Sequence, residues 1–343
     1  MKPLLNTLYI TTQGVHVTRE GETVCVIQEN EAKFRVPIHT ISNIVCFGQI
    51  SCTPFLMGFA AESAVGLSFL TENGRFLARV QGPVAGNVLL RRRQYKASEA
   101  EESLASVARS VVLAKVANCR VVLLRAARER ETLPEKSAIE AAALRLSRLC
   151  EDIAKADAVD VIRGYEGDSA RVYFSVFDHL IVNAKEDFYF RGRSRRPPVD
   201  NVNALLSFLY TLLTADITGA LESAGLDPAV GFLHRDRPGR PSLALDLAEE
   251  LRPVLADRLA LSLINRRQIT GEGFQRGETG GVVMNDATRR EVLVAWQKRK
   301  QEEVLHPFLA ERVPFGLIPH VQATLLARYL RGDIDGYPCF FWR

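Results

Sequence analysis

Two carboxylates in a short apolar segment have the spacing of metal ligands. Asp246 and Glu249 lie three residues apart within Leu243–Leu251, so a helix would place them on neighbouring positions of one face. Like charges placed this way repel unless a cation lies between them, and carboxylate oxygens are ligands for divalent cations such as Mg²⁺. The alternative is a solvated acidic face with no ligand.

A histidine precedes this acidic segment by a short loop. His234 ends the apolar run Val230–Leu233, and the loop 235–240 then leads back to the acidic helix. A short connection makes antiparallel neighbours, so His234 can face both carboxylates. One imidazole and two carboxylates suit Mn²⁺ or Mg²⁺. A structural histidine remains the alternative.

A third acid, Glu166, lies between two glycines, Gly164 and Gly167. Glycine permits sharp bends and close approach to a ligand, so we predict a bent loop here and a helix that starts near Asp168. Taken alone, Glu166 is equally well explained as a loop or first-turn acid favoured by the helix dipole.

Arginines form four clusters, two of which flank the proposed His–acid site. Arginine outnumbers lysine in them and suits bidentate phosphate contacts, which indicates nucleic-acid binding, with ordinary solvated surface as the alternative. The candidate contacts are Arg91, Arg92, Arg93, Arg193, Arg195, Arg196, Arg235, Arg237, Arg240, Arg266 and Arg267.

The elements that position these residues divide into two kinds. Short β-branched runs separated by turn residues fill the first 80 residues, and Glu72-Asn73-Gly74 predicts a hairpin turn. Helical periodicity follows: Ser137 with Glu140 forms a capping box, Asp200 is a good N-cap, and Pro253 should kink the acidic helix. We therefore predict an α+β protein, with a small β-rich domain (1–80), a linker (81–87) and a larger all-α domain (88–343).

The charge distribution, the cysteines, the hydropathy and the motifs of the sequence limit the classes of protein to which the chain can belong. Residues 1–86 carry six basic and six acidic residues, so the whole formal charge of +4 lies in the remainder. The six cysteines show no CxxC pairing and indicate reduced thiols of a cytoplasmic protein. The apolar stretch 54–70 is too short and too polar to span a membrane. No P-loop, nucleophile elbow or dinucleotide fingerprint occurs in the sequence.

Several motifs in order along the chain resemble the CRISPR-associated spacer-acquisition integrase family ("Cas-one"), over nearly the whole length. The stretches that carry the resemblance are Gly164–Gly167 with Ala170, Tyr173 and Phe174; Arg196–Pro198 with Asn203–Leu206 and Tyr210; Gly225–Pro228 with Gly231–His234; and Leu245–Glu250. The length and the tail Gly336–Cys339 look like the subtype I-C branch.

The resemblance implies a metal-dependent DNA endonuclease and integrase of CRISPR adaptation. Its metal ligands fall on Glu166, His234 and Glu249, with Asp246 as a supporting catalytic acid. Many members have Asp where this chain has Glu249, which lengthens the side chain by one methylene but keeps the donor type. The resemblance also implies a homodimer through the β domains and a small ferredoxin-like partner ("Cas-two"). A standalone nuclease on branched DNA and a non-catalytic DNA scaffold are the alternative functions.

Overall fold

The computed structural model describes residues 6–29, 31–82, 88–129, 135–195, 197–277 and 280–342. Its helices are α1 (Pro54–Glu62), α2 (Val88–Glu99), α3 (Glu101–Glu129), α4 (Lys136–Ala154), α5 (Val159–Ser175), α6 (Asn201–Ser223), α7 (Ser242–Leu251), α8 (Arg258–Asn265), α9 (Asp286–Gln301) and α10 (Ile318–Arg331). Its strands are β1 (Thr7–Ile10), β2 (His16–Glu20), β3 (Thr23–Gln28), β4 (Glu31–Pro37), β5 (Asn43–Phe47), β6 (Ser51–Cys52), β7 (Gly66–Leu70), β8 (Phe76–Val80), β9 (Phe274–Arg276), β10 (Val282–Met284), β11 (Glu303–His306) and β12 (Glu311–Pro314).

The chain divides into two compact units, of which the first comprises residues 1–85 and 284–302. Two four-stranded sheets build its β part, with strand orders β1-β5-β7-β8 and β4-β3-β2-β6. The strands β1, β5 and β7 are parallel, and β8 returns antiparallel to β7. The predicted hairpin is confirmed, because β7 and β8 pair across the turn that contains Gly74, whose φ is +82°.

Helix α1 follows β6 and precedes β7 in the sequence, and it packs against β2 and β7. Its start follows from its sequence: the side chain of Thr53 accepts a hydrogen bond from the backbone N–H of Leu56, and Pro54 occupies the first turn. Leu56, Phe59 and the inward residues of the strands then share one apolar core.

Helix α9 belongs to this first unit, although it was predicted to lie in the helical domain with everything after residue 88. Trp296 and Val292 on α9 are buried, and Lys300 Nζ lies 3.4 Å from Thr7 Oγ1 on β1. Helical periodicity identifies a helix but does not identify the unit against which it packs. Of the predicted linker, residues 83–87 lie outside the described residues.

The second unit, residues 86–283 and 303–343, is mainly helical. The long helix α3 packs against α4, α5 and α7, and α6 packs against α7 and α10. The predicted cap of α6 is confirmed, because Asp200 accepts a hydrogen bond of 2.7 Å from the N–H of Asn203. At Pro253, where a kink is predicted, the π-helical segment Arg252–Asp257 separates α7 from α8.

Three local predictions for this unit are wrong. Helix α5 runs without a break from Val159 to Ser175, so Glu166 lies in mid-helix rather than in a loop. Ser137 makes no capping bond, since α4 begins one residue earlier, after Glu135. The unit is not purely α-helical, because it contains the antiparallel hairpin β11–β12 and the small pair β9–β10. The overall class, a β-rich region followed by a larger helical region, is confirmed.

Helix α6 has the length and apolarity of a membrane-spanning segment. More than half of its most apolar window is buried inside the protein, and its leucines Leu205, Leu206 and Leu209 are fully buried. Since α6 packs against α7 and α10, its apolar character is that of a central core helix.

Candidate metal centre

The carboxylate of Asp246 on α7 organises the loop that carries His234. Its two oxygens accept hydrogen bonds from the backbone N–H groups of Phe232 (2.6 Å), Leu233 (3.0 Å) and His234 (2.9 Å). A Cβ added at Gly231 would lie 2.8 Å from Asp246 Oδ2 and 2.9 Å from Ser242. Glycine is therefore required where the loop passes over the helix.

The same carboxylate also orients the His234 ring. His234 Nδ1 lies 2.7 Å from Asp246 Oδ1, and a carboxylate can only accept, so Nδ1 is the donor and, in the neutral ring, Nε2 carries the lone pair. Nε2 lies 3.9 Å from Glu249 Oε1. A carboxylate that fixes the far nitrogen of a histidine is the usual support for a metal-binding imidazole.

Glu166 on α5 and Glu249 on α7 meet at the ammonium group of Lys115 on α3. Lys115 Nζ lies 2.6 Å from Glu249 Oε2 and also forms an ion pair with Glu166 Oε1. The other oxygen of Glu249 forms an ion pair with the guanidinium of Arg252. Helices α3, α5 and α7, with the π-helical segment that follows α7, thus bring two carboxylates and two cations into contact.

Burial makes these contacts strong. The side chains of Glu249 and Lys115 are 3% and 11% exposed. Burial on its own would raise the pKa of Glu249, but the charges of Arg252 and Lys115 outweigh it and hold that pKa well below its usual range. Burial likewise opposes the charge of Lys115, yet Glu249 and Glu166 raise its pKa above the ordinary value. Glu249 and Lys115 are therefore both charged near neutral pH.

The predicted residues Glu166, His234 and Glu249 therefore lie close together, but the ammonium group of Lys115 bridges the two carboxylates. Among the described residues, no three His, Cys, Asp or Glu side chains lie close enough together to hold an ion. The donor set nevertheless fits a divalent cation, because Glu166 and Glu249 already share one positive charge and His234 Nε2 faces Glu249. Two carboxylates and an imidazole are donors of the kind that Mg²⁺ and Mn²⁺ take.

Two residues of this centre, Lys115 and Arg252, were not predicted. Arg252 follows Glu249 by three residues, a spacing that places it on the same helical face. Lys115 is 51 residues from Glu166 and 134 from Glu249, and nothing local in the sequence indicates its partners. A lysine among apolar and small residues of α3 was the only available signal.

Contacts between side chains and backbone tie α5 to the histidine loop. Arg163 Nε donates to the carbonyl of Leu233 at 2.5 Å, and Arg235 forms an ion pair of 3.1 Å with Asp160. These contacts set the position of Glu166 relative to His234.

Most of the arginines predicted to contact nucleic acid lie on the surface of the second unit. Arg193 differs: it is partly buried, and its guanidinium donates to Asn203 Oδ1 and Ser207 Oγ. Arg93 donates to the carbonyl of Arg331, and Arg196 lies outside the described residues. The exposed candidates are Arg92, Arg93, Arg195, Arg235, Arg237, Arg266 and Arg267, and Arg91 and Arg240 are half-buried.

Comparison with known proteins identifies a family for this chain. Residues 8–298 match the family described as CRISPR associated protein Cas1. A Rhodospirillum rubrum protein named CRISPR-associated endonuclease Cas1 2 is 55% identical over 351 aligned residues, which cover 100% of both chains.

Two solved structures share the fold at low sequence identity. A Cas6-RT-Cas1–Cas2 complex matches with a TM-score of 0.84 and 20% identity, over 100% of this chain and 36% of that one. A casposase bound to integration product matches with a TM-score of 0.80 and 23% identity, over 100% and 95% of the two chains. The family match and the extent of the identity lead to one conclusion: the chain belongs to the Cas1 family of CRISPR-associated proteins.

Proposed function

We propose that this chain is a divalent-metal-dependent DNA endonuclease and integrase, which inserts spacer DNA into a CRISPR array. The observation that carries the proposal is the arrangement around α7 in a Cas1 family member. There, Asp246 fixes His234 with Nε2 turned toward Glu249, and Glu249 shares a cation with Glu166.

In this proposal Glu166, His234 Nε2 and Glu249 hold one Mg²⁺ or Mn²⁺ ion. The ion, when bound, stabilises the negative charge that develops on the phosphate oxygens during phosphodiester exchange. The nucleophile is the 3′-hydroxyl of the incoming DNA in integration and water in cleavage.

The protein's own residues supply orientation and charge. Asp246 is fully buried and both of its oxygens are engaged, so it orients His234 and the loop. Arg235 and Arg237 are exposed next to His234 in the sequence and are placed to neutralise phosphate charge. The remaining exposed arginines supply salt-sensitive affinity for the DNA backbone.

The partners follow from the family and from solved proteins of this fold. One of these was solved in a complex with Cas2 and another bound to an integration product. We expect a homodimer that works with a small Cas2 partner in the cytoplasm, and membership of the subtype I-C branch.

A half-site integration assay tests this function. A duplex with a free 3′-hydroxyl is offered to a CRISPR repeat in the presence of Mn²⁺ or Mg²⁺, with and without Cas2. His234→Ala and Glu249→Gln should lower strand transfer by at least 100-fold, because both remove a ligand, while duplex affinity changes less than about threefold. The matched controls are the exposed residues His39→Ala and Glu140→Gln, which should behave as the parent protein.

The other functions predict different results. Cutting of branched DNA without joining a 3′-hydroxyl would identify a standalone nuclease. Unchanged metal binding in Glu249→Gln, together with no metal-dependent chemistry in the parent protein, would identify a non-catalytic scaffold.

A further inference from the structure

The centre is electrically balanced as it stands. Glu166 and Glu249 carry two negative charges, and Lys115 and Arg252 carry two positive ones. The charge of Asp246 is compensated separately, by three backbone N–H groups and the Nδ1 proton of His234. A divalent ion that entered this neutral centre would leave a net charge of about +2 in a poorly hydrated site, which is costly.

Of the two cations, Lys115 is the one that competes with an ion. Its ammonium group bridges Glu166 and Glu249 and so lies between the two proposed carboxylate ligands. Of the two carboxylates, Arg252 forms its ion pair with Glu249, and its guanidinium lies 4.9 Å from the centre of the Tyr210 ring. The flexible four-carbon stem of lysine allows the ammonium group to move, whereas the stacked arginine is held.

We propose that Lys115 is an internal competitor for the divalent ion and couples metal loading to DNA binding. Its ammonium group neutralises Glu166 and Glu249 until a DNA phosphate arrives, and it then moves to that phosphate and leaves the carboxylates to the ion. The phosphate brings negative charge that balances the ion, so each ligand strengthens the binding of the other by the same factor. This inference rests on the proposed function, since it takes Glu166 and Glu249 as the ligands.

Binding of Mn²⁺, followed by electron paramagnetic resonance of the free ion, measures this coupling without any turnover. A duplex with 3′-dideoxy ends serves as the DNA, and Mn²⁺ bound by that duplex alone is subtracted. The full-length parent protein should bind Mn²⁺ at least tenfold more tightly with the duplex than without it. Lys115→Met should bind Mn²⁺ at least tenfold more tightly than the parent without DNA, and the duplex should then add less than threefold.

Two further variants control this measurement. Lys136→Met removes a lysine whose ion pair with Glu140 lies on the surface, and it should behave as the parent. Lys115→Arg keeps the positive charge and should keep most of the coupling, which also covers the case that Lys115→Met fails to fold.

The proposal is overturned if the parent protein binds Mn²⁺ equally well with and without DNA. It is also overturned if Lys115→Met folds but binds Mn²⁺ no more tightly than the parent, since Lys115 then holds the ligands in place rather than competing for them. Failure of the proposed function gives a different result: His234→Ala would leave Mn²⁺ binding unchanged in the presence and absence of DNA.

Discussion

Two glycines on α5 cost the helix stability without any visible packing reason. Gly164 and Gly167 lie in mid-helix next to Glu166, both are exposed, and an added Cβ would meet nothing within 4 Å. Glycine in a helix interior costs about 1 kcal/mol relative to alanine. The bare backbone they expose is suited to close approach by a DNA strand.

Replacing these glycines should therefore separate stability from function. Gly164→Ala and Gly167→Ala should each raise the free energy of unfolding by about 0.5 to 1 kcal/mol, while strand transfer falls at least fivefold because the DNA is held away from Glu166. Thermal denaturation and the half-site assay measure the two effects. Alanine variants that are more stable and fully active would show that close approach is not required here.

A buried aspartate at the end of the π-helical segment gives a testable pH dependence. Asp257 is 1% exposed and accepts a hydrogen bond of 2.6 Å from Tyr210. Burial raises its pKa to about 6, although the hydroxyls of Tyr210 and Tyr173 and the charges of Arg193 and Arg252 act in the opposite direction. The folded protein thus holds this proton at pH values where the unfolded chain has released it.

The stabilisation contributed by protonated Asp257 should be complete below pH 3.8 and should disappear as pH rises through about 6. Asp257→Asn removes this titration, so the stability of the variant relative to the parent should increase between pH 4 and 7, by roughly 2 to 3 kcal/mol in total. Parallel thermal denaturation at several pH values measures the difference. A constant difference over this range would contradict the shifted pKa.

At the scale of elements, the C-terminal tail fixes α3 against α7. Glu250, next to the candidate ligand Glu249, accepts hydrogen bonds from Tyr337 Oη (2.6 Å) and the N–H of Phe340 (2.7 Å). Asn118, one turn beyond Lys115 on α3, donates to the carbonyls of Glu250 and Phe340. The tail therefore holds together the two helices that carry Lys115 and Glu249.

Two adjacent phenylalanines provide a matched test of this role. Phe340 is fully buried and Phe341 is 40% exposed. Phe340→Ala should lower the free energy of unfolding by about 3 to 5 kcal/mol and weaken Mn²⁺ binding, because α3 and α7 lose their common partner. Phe341→Ala should cost less than about 1 kcal/mol. Equal effects in denaturation and Mn²⁺ titration would show that the tail does not position the centre.

The elements also show which parts of the fold could be predicted from sequence. The caps and periodicity of α6 and the turn at Gly74 are local, and they were predicted correctly. The continuity of α5 was not, because its packing against α3 and α4 outweighs the low helix propensity of Gly164 and Gly167. The short loop between His234 and the acidic helix was enough to predict that His234 faces Asp246. The contact of Lys115 with Glu166 and Glu249 depends instead on how three helices pack.

At the scale of the whole molecule, the first unit carries more positive charge than residues 1–86 indicate. Residues 284–302 add five basic and three acidic residues to a segment with no net charge. Since α9 belongs to this unit and its Trp296 is buried, a fragment that ends near Gly86 would lack one of the unit's helices. Assembly through the first unit must therefore be tested on the full-length chain.

The edges of the two sheets are the surface that we expect to form the homodimer. Strand β4 is an edge strand with Phe34 49% exposed, and the edge strand β8 exposes Phe76 and Leu77 by 49% and 52%. Unpaired edges with exposed apolar side chains favour pairing with another chain. Phe34→Lys or Phe76→Glu should convert a dimer to a monomer in sedimentation at micromolar concentration, since each places a charge in the contact.

The matched control for these edge variants is Phe55→Glu. Phe55 on α1 is 83% exposed but lies on no sheet edge, so this variant should remain dimeric. A dimer carries two metal centres, one for each DNA end, and the monomeric variants should therefore still join one DNA end in the half-site assay but lose coordinated insertion of both ends. Dimers in both edge variants would show that the homodimer forms elsewhere. Monomers that still insert both ends would show that coordinated insertion does not need the dimer.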